Sequence, residues 1–198
     1  MARTAGSNGA KTLEAIREAG ADLIYRHGYE AMSLRALAAA VGVQVGSLYN
    51  HIKTKQDLLF FLMRSHMEQL LAERDACEGV FPPAPPPARL RAFVEFHLGF
   101  HLTRKRDISL ANFELRSLEP DNYAVVVAMR ADYERTLTDI LTAGRESGAF
   151  AVPEPRLAAF GILSMLTGAC MWYRPEGRLS KADIIAAYTD MATKSVAV

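Results

Sequence analysis

The chain has 198 residues, 50% hydrophobic and 23% charged, with a formal net charge of +1, enough to bury a core as one large domain or two small ones. Its longest apolar stretch, residues 161–173, is broken by Ser164, Thr167 and two glycines, short of the roughly 20 residues a bilayer span needs. The opening residues lack a secretory signal's apolar core, and Cys77 and Cys170 suit neither a disulfide framework nor a metal cluster, so a reducing cytoplasm is the expected location.

Ser33 is a natural N-cap, and residues 34–41 behind it are mostly strong helix formers with Leu34, Leu37, Ala38 and Val41 on one face. Gly42 then ends this short helix, because glycine accepts the positive φ of a tight reversal, and Val43 tucks beneath the turn. The next segment, residues 44–51, is anchored by Leu48 and, four places on, Ile52. Its remaining side chains, among them Gln44, Ser47, Tyr49, Asn50 and His51, are expected to point outward. Amides pair with adenine and hydroxyls hold phosphate oxygens, so this face suits a DNA groove. Two helices meeting at a short glycine turn, the second polar outside, make a helix-turn-helix pattern. A third helix is expected from Thr54, an N-cap residue with Asp57 three places on and the apolar run 58–63 behind it. Lys53 and Lys55 flank its first turn. The free N–H groups of a helix start beside two lysines would clamp a DNA phosphate.

The order A-V-G-V-x-x-G-S-L-Y-N-H-I-K-T-K-x-x-L-L resembles the N-terminal domain of the TetR family of bacterial transcriptional regulators, with residues 11–27 and Gly28-Tyr29 in the place of that family's first helix. Carried over by position, the resemblance implies that Arg35, Val45, Gly46, Ser47 and Asn50 face base edges. Ser33, Tyr49, His51 and Lys55 would mainly touch phosphates or sugars. Val45 is apolar and Gly46 has no side chain, so Val45 would meet a thymine methyl rather than a hydrogen-bonding group. Up to Lys55, seven Lys or Arg (Arg3, Lys11, Arg17, Arg26, Arg35, Lys53, Lys55) oppose four acids (Glu14, Glu18, Asp22, Glu30), an excess of +3; with the whole chain at +1, the remainder carries −2. Positive charge thus gathers where DNA is expected.

Beyond Lys55 the chain shows long helical patterns separated by proline or glycine, with no convincing strand run or repeat. The expected fold class is all-α, with a three-helix helix-turn-helix domain over residues 1–55 and a helical ligand-binding and dimerisation domain over 56–198. One long helix should run from Thr54 to about Ala76, and the prolines of residues 80–87 should form a stiff, extended polyproline connector. The following helix carries Leu90, Phe93, Val94, His97, Phe100 and His101 on one stripe. A shorter helix holds Phe113, Leu115 and Leu118 before Pro120, and a longer one ends near Gly148. Such aromatic and methionine-rich faces usually pack a core, but in a regulator they also wall an apolar cavity. The candidate ligand-binding residues are Phe60, Phe61, Met63, Phe93, Phe96, His97, Phe100, Phe113, Met129 and Tyr133. His97 and His101 have the i,i+4 spacing of metal ligands but no third ligand nearby in sequence, so they are expected to be hydrogen-bonded histidines, with no metal and no cofactor.

The last two helices, 155–172 and 180 to about 193, differ in texture: Leu157, Phe160, Gly161, Ser164, Gly168, Ile185 and Thr189 combine small and apolar positions. That surface fits a dimer interface of two helices from each subunit, as the TetR resemblance also implies. Between them, W-Y-x-P-x-G-x-L-S at residues 172–180 resembles a branch of the family that includes repressors of fatty-acid, phenylacetate and steroid breakdown, many of which sense acyl-CoA thioesters. Arg104-Lys105-Arg106 would then meet CoA phosphates at a pocket mouth, or lie as an ordinary solvated run. The expectation is a homodimeric repressor that binds a double-stranded, pseudo-palindromic operator and is released by a small apolar or acyl-CoA-type effector, with no membrane partner. Two rivals are an enzyme acting on an apolar or thioester substrate in the helical cavity, and a ligand-independent DNA-binding activator. Against the enzyme, the chain shows no nucleophile with an adjacent base, phosphate loop or paired carboxylates at a meaningful spacing.

Overall fold

The computed structural model describes residues 5–197, and side chains from residue 9; Arg3, counted above among the basic residues, lies outside them. The described residues form α1 (Ala5–His27), α2 (Leu34–Val41), α3 (Val45–Leu48), α4 (Lys55–Asp75), α5 (Pro86–His101), α6 (Lys105–Phe113), a 3-10 turn (Leu115–Ser117), α7 (Pro120–Glu146), α8 (Pro155–Trp172) and α9 (Lys181–Lys194). Among them there is no strand, as the all-α expectation requires, and no helix long and apolar enough to cross a membrane.

The helix limits follow from local chemistry. Ser33 Oγ accepts the Ala36 N–H at 3.1 Å to start α2, and Gly42, at φ +77°, closes it. Thr54 Oγ1 accepts the Asp57 N–H while the Asp57 carboxylate accepts the Thr54 N–H, a reciprocal cap that begins α4. Ser180 and Asp183 repeat that arrangement at α9. Proline occupies the first turn of α5 and α8, where its missing N–H costs nothing.

The chain divides into two compact units. One comprises the residues up to His66 together with Arg106–Val126; the other comprises Met67–Lys105 and Val127–Val198. This differs from a division at residue 55, since 56–66 and 106–126 both fold with the helix-turn-helix. The chain therefore passes between the units three times: within α4, just before Arg106, and within α7. The first unit is centred on Ile16, Ile24, Leu37, Leu48, Leu58 and Leu59, all fully buried. In the second, α5 packs on α8 and α9 around Phe93, Val94, Leu98, Leu166 and Ala169. There the buried Arg74 guanidinium donates to Asp132 Oδ2 at 2.9 Å and to Thr136 Oγ1 at 3.1 Å, tying the end of α4 to α7.

Two local expectations change. The proline-rich connector is a run of turns rather than an extended rod; it buries Val80, whose carbonyl accepts Arg89 Nε–H at 2.9 Å. Helix α3 is only Val45–Leu48, and residues 49–51 continue it as a turn, with His51 and Ile52 N–H groups both reaching the Leu48 carbonyl.

Candidate functional site

The first unit holds the expected reading face. Leu48 and Ile52 are buried and fix α3 on the core. Above them Gln44, Val45, Gly46, Ser47, Tyr49 and Asn50 are exposed, with His51 half-buried; Ser33, Arg35 and Lys53 are exposed nearby in the chain. Gly46 has no internal justification: its φ is not positive, and a Cβ there would meet nothing within 4 Å. The backbone at Gly46 is therefore open to the outside, at a position where glycine costs helix stability.

Two features at the start of α4 bear on the phosphate clamp expected of it. The Asp57 carboxylate already accepts the N–H groups of Lys53 and Thr54, at 3.1 and 2.9 Å. Lys55 turns inward, its Nζ donating to the Glu30 carbonyl at 3.1 Å and lying 4.2 Å from the centre of the Tyr29 ring. Lys53 remains the exposed lysine of that turn.

The same unit contains a junction that no local pattern announced. Tyr29 is buried, and burial is the main reason its phenol is pushed above the usual range, partly offset by a hydrogen bond with Gln56. Its N–H donates to Glu114 Oε1 at 3.1 Å. The Gln56 side chain donates to the Ser117 carbonyl and accepts the Glu119 N–H at 3.1 Å. Arg106 Nη1 donates to Glu18 at 2.8 Å and Asp22 at 2.9 Å, and the hydrogen bond to Glu18 is the largest cause holding its guanidinium firmly protonated. Partners so far apart in sequence leave no periodic or spacing signal.

Residues 16–61 match the family profile described as bacterial regulatory proteins, tetR family, and residues 83–196, more than half of the chain, match that of the tetracyclin repressor-like C-terminal domain. The chain belongs to the TetR family. Its relatives include the HTH-type transcriptional repressor KstR2 of Rhodococcus jostii (strain RHA1), 22% identical over 196 residues that cover 98% of this chain and 94% of the relative. A crystal structure of a bacterial regulatory protein in the tetR family from Rhodococcus RHA1 is similar with a TM-score of 0.87 and 28% identity, covering 94% of this chain and 97% of that one. AibR, crystallised with isovaleryl coenzyme A and operator DNA, is similar with a TM-score of 0.81 and 28% identity over 91% of this chain and 97% of its own. As a TetR-family protein the chain is a DNA-binding transcriptional regulator and not an enzyme.

In this TetR regulator the ten candidate ligand residues divide between the two units. Phe93, Phe96, His97, Phe100 and Tyr133 assemble in the second unit: the Phe93 and Tyr133 ring centres are 5.2 Å apart, those of Phe96 and Phe100 6.0 Å, and those of His97 and Tyr133 5.9 Å. Burial drives the Tyr133 phenol well above its ordinary pKa, so it keeps its proton and lies 3.0 Å from His97 Nδ1. The His97 and His101 rings pack at 4.5 Å, and among the described residues no group of His, Cys, Asp and Glu has the arrangement of a metal site. Met129 is half-buried on α7 in the same unit. Phe60, Phe61, Met63 and Phe113 belong to the other unit. Phe61 lies under the Arg17 guanidinium at 3.5 Å, and Phe113 is 60% exposed, so it walls no enclosed cavity. Arg104 is also committed, donating to Glu73 at 3.0 Å and to the Phe100 carbonyl at 2.9 Å. Arg106 is likewise held by Glu18 and Asp22, so both arginines of the basic run are ion-paired within the protein. A hollow of about 220 Å³ lies beside Trp172, Arg174 and Arg178 in the turn before α9.

On α8, Leu157, Phe160, Gly161, Ser164 and Gly168 are all exposed and share one stripe with Trp172. Ile185 on α9 is half-buried, whereas Thr189 is only 2% exposed. The inward face of α9 runs through Ile184, Thr189 and Ala192, so the outer face carries Ala182 and Ala186 but not Thr189.

Proposed function

We propose that this TetR regulator is a homodimeric repressor that reads a pseudo-palindromic operator and is released by an acyl-CoA-type or similarly apolar small molecule. One observation carries the proposal: α3 and the turn after it offer Val45, Gly46, Ser47, Tyr49 and Asn50 to the outside on a seat fixed by Leu48 and Ile52, and a Cβ at Gly46 would meet nothing within the protein. Asn50, Ser47, Gln44 and Arg35 supply the hydrogen-bonding groups for base edges, Val45 suits a thymine methyl, and Gly46 permits close approach. Ser33, Tyr49, His51 and Lys53 hold phosphates and set the register. Lys55 acts from behind, bracing the α1–α2 turn.

The homodimer is supported by the α8 stripe, where Leu157 is 70% and Trp172 52% exposed beside Gly161, Ser164 and Gly168. Large apolar side chains next to small ones on one exposed face match a four-helix interface made by α8 and α9 of two copies. Such a dimer would hold two reading helices about 34 to 36 Å apart, one turn of duplex DNA. The effector class is supported by the AibR complex with isovaleryl coenzyme A and operator DNA. It is supported too by the aromatic interior around Phe93, Phe96, Phe100 and Tyr133, which suits an acyl group, with the His97–Tyr133 pair as its polar element. A coupling of about 1 to 3 kcal/mol between effector and operator suffices for such a switch. The cytoplasm, where operator and acyl-CoA are both found, is the proposed site of action.

The test is fluorescence anisotropy with a duplex that the protein itself selects from a random library, repeated with a series of acyl-CoA thioesters. The proposal expects a selected sequence with two half-sites and release by at least one thioester. Equal affinity for selected and scrambled duplexes would overturn the DNA assignment. Unchanged operator affinity with every thioester that binds would overturn the switch.

A further inference from the structure

The segment Arg106–Val126 folds with the DNA-reading unit although the chain on either side of it belongs to the other unit. Within that unit the segment is fastened at two points. At the first, the Glu114 carboxylate accepts the Tyr29 N–H through Oε1 and the Ser117 hydroxyl through Oε2, each at 3.1 Å. Gly28, at φ +81°, makes this possible: its left-handed backbone ends α1 and lies against the carboxylate, so that a Cβ there would sit 3.6 Å from Glu114 Oε1. At the second, Gln56 in the first turn of α4 satisfies both a carbonyl and an N–H of the chain leaving the 3-10 turn, those of Ser117 and Glu119. Lys55 closes the figure from the neighbouring position, gripping the Tyr29 ring and the Glu30 carbonyl.

We propose that Glu114 and Gln56 are positioning residues that form a two-point latch, through which segment 106–126 sets the placement of α2 and α3 for DNA. This rests on the assignment of α3 as the DNA reader. The α1–α2 turn that the latch grips leads directly into the Ser33 cap of α2, and α2 packs on α3, so movement of residues 114–119 is passed to the reading face. The polar atoms of both side chains are spent inside the unit, which separates their effect from that of phosphate contacts.

The experiment compares wild type with Glu114→Ala, Gln56→Ala, Gln56→Glu and Glu114→Gln. The last keeps an acceptor for the Tyr29 N–H, and Gln56→Glu turns an acceptor against the Ser117 carbonyl. Amide hydrogen exchange over residues 34–52 is read beside affinity for a duplex selected by the wild type. The latch predicts exchange about tenfold faster over 34–52 in the two alanine variants and in Gln56→Glu. It also predicts operator affinity lower by about tenfold with an unchanged salt slope, and Glu114→Gln close to wild type. Faster exchange confined to Tyr29 and residues 115–119, with operator affinity unchanged, would overturn it. If the alanine variants do not fold, Gln56→Glu against Glu114→Gln decides by the same two readouts. Should the wild type select no duplex, the DNA assignment fails by itself, and exchange over 34–52 alone sustains or overturns the latch.

Discussion

Tyr49 and His51 beside α3 have counterparts of the same residue types, Tyr133 and His97, in the second unit, and the two pairs stand in opposite environments. Tyr49 is 52% exposed beside the half-buried His51. Tyr133, 4% exposed, meets His97 within an aromatic cluster. The difference lies in the anchors. Over residues 44–52 only Leu48 and Ile52 are buried, so the polar side chains around them stay at the surface. In α5, Phe93, Val94 and Leu98 draw the whole stripe inward, and its polar atoms must find partners within. A tyrosine or histidine thus acquires its role from the burial of its helix neighbours.

The largest effect that separates the two regions is on stability. Phe93→Ala, which empties a fully buried position, should cost about 3 to 5 kcal/mol in denaturant unfolding. Tyr49→Ala should stay within about 0.5 kcal/mol of wild type while weakening DNA binding. Next comes the paired change Leu157→Asp with Phe160→Asp on the α8 stripe, which should raise the dimer dissociation constant by on the order of 100-fold in sedimentation with the helical circular dichroism intact. Asn50→Ala should lose about 1 to 3 kcal/mol of discrimination at one base step per half-site, measured on single-substitution duplexes. Gly46→Ala divides the regions most sharply, because it should raise stability by about 0.5 to 1 kcal/mol yet weaken operator binding; unchanged binding would mean that nothing approaches that backbone. The smallest effect concerns two lysines. Lys53→Ala should reduce the salt slope by about one, while Lys55→Ala, whose ammonium is held by Glu30 and Tyr29, should lower affinity without changing the slope.

What the sequence made legible is whatever acts within a few residues. The Ser33 and Thr54 caps, the left-handed Gly42 and the Leu48–Ile52 anchors each announce themselves locally, and the structure has each of them. The exposed α8 stripe was also readable, since Leu157, Phe160, Gly161, Ser164 and Gly168 share a face by spacing alone. Thr189 was misplaced because it lies at the edge of that pattern, and the packing of α9 against α5 turns it inward. The distribution of the aromatic residues between two units, and the capture of Lys55 by the α1–α2 turn, depend on partners distant in the chain. The latch shows this most clearly: Tyr29 and Glu114 are separated by 85 residues, Gln56 and Ser117 by 61. Hydrogen bonds across such distances follow only from the folded chain.

The central claim is tested most directly by titrating the wild-type protein against its own selected duplex and a scrambled one of equal length, with stoichiometry read in the same experiment. The account predicts an even number of copies per duplex and an affinity for the selected sequence at least about 10³-fold tighter than for the scrambled one. A single copy per duplex, or equal affinity for both, would contradict it.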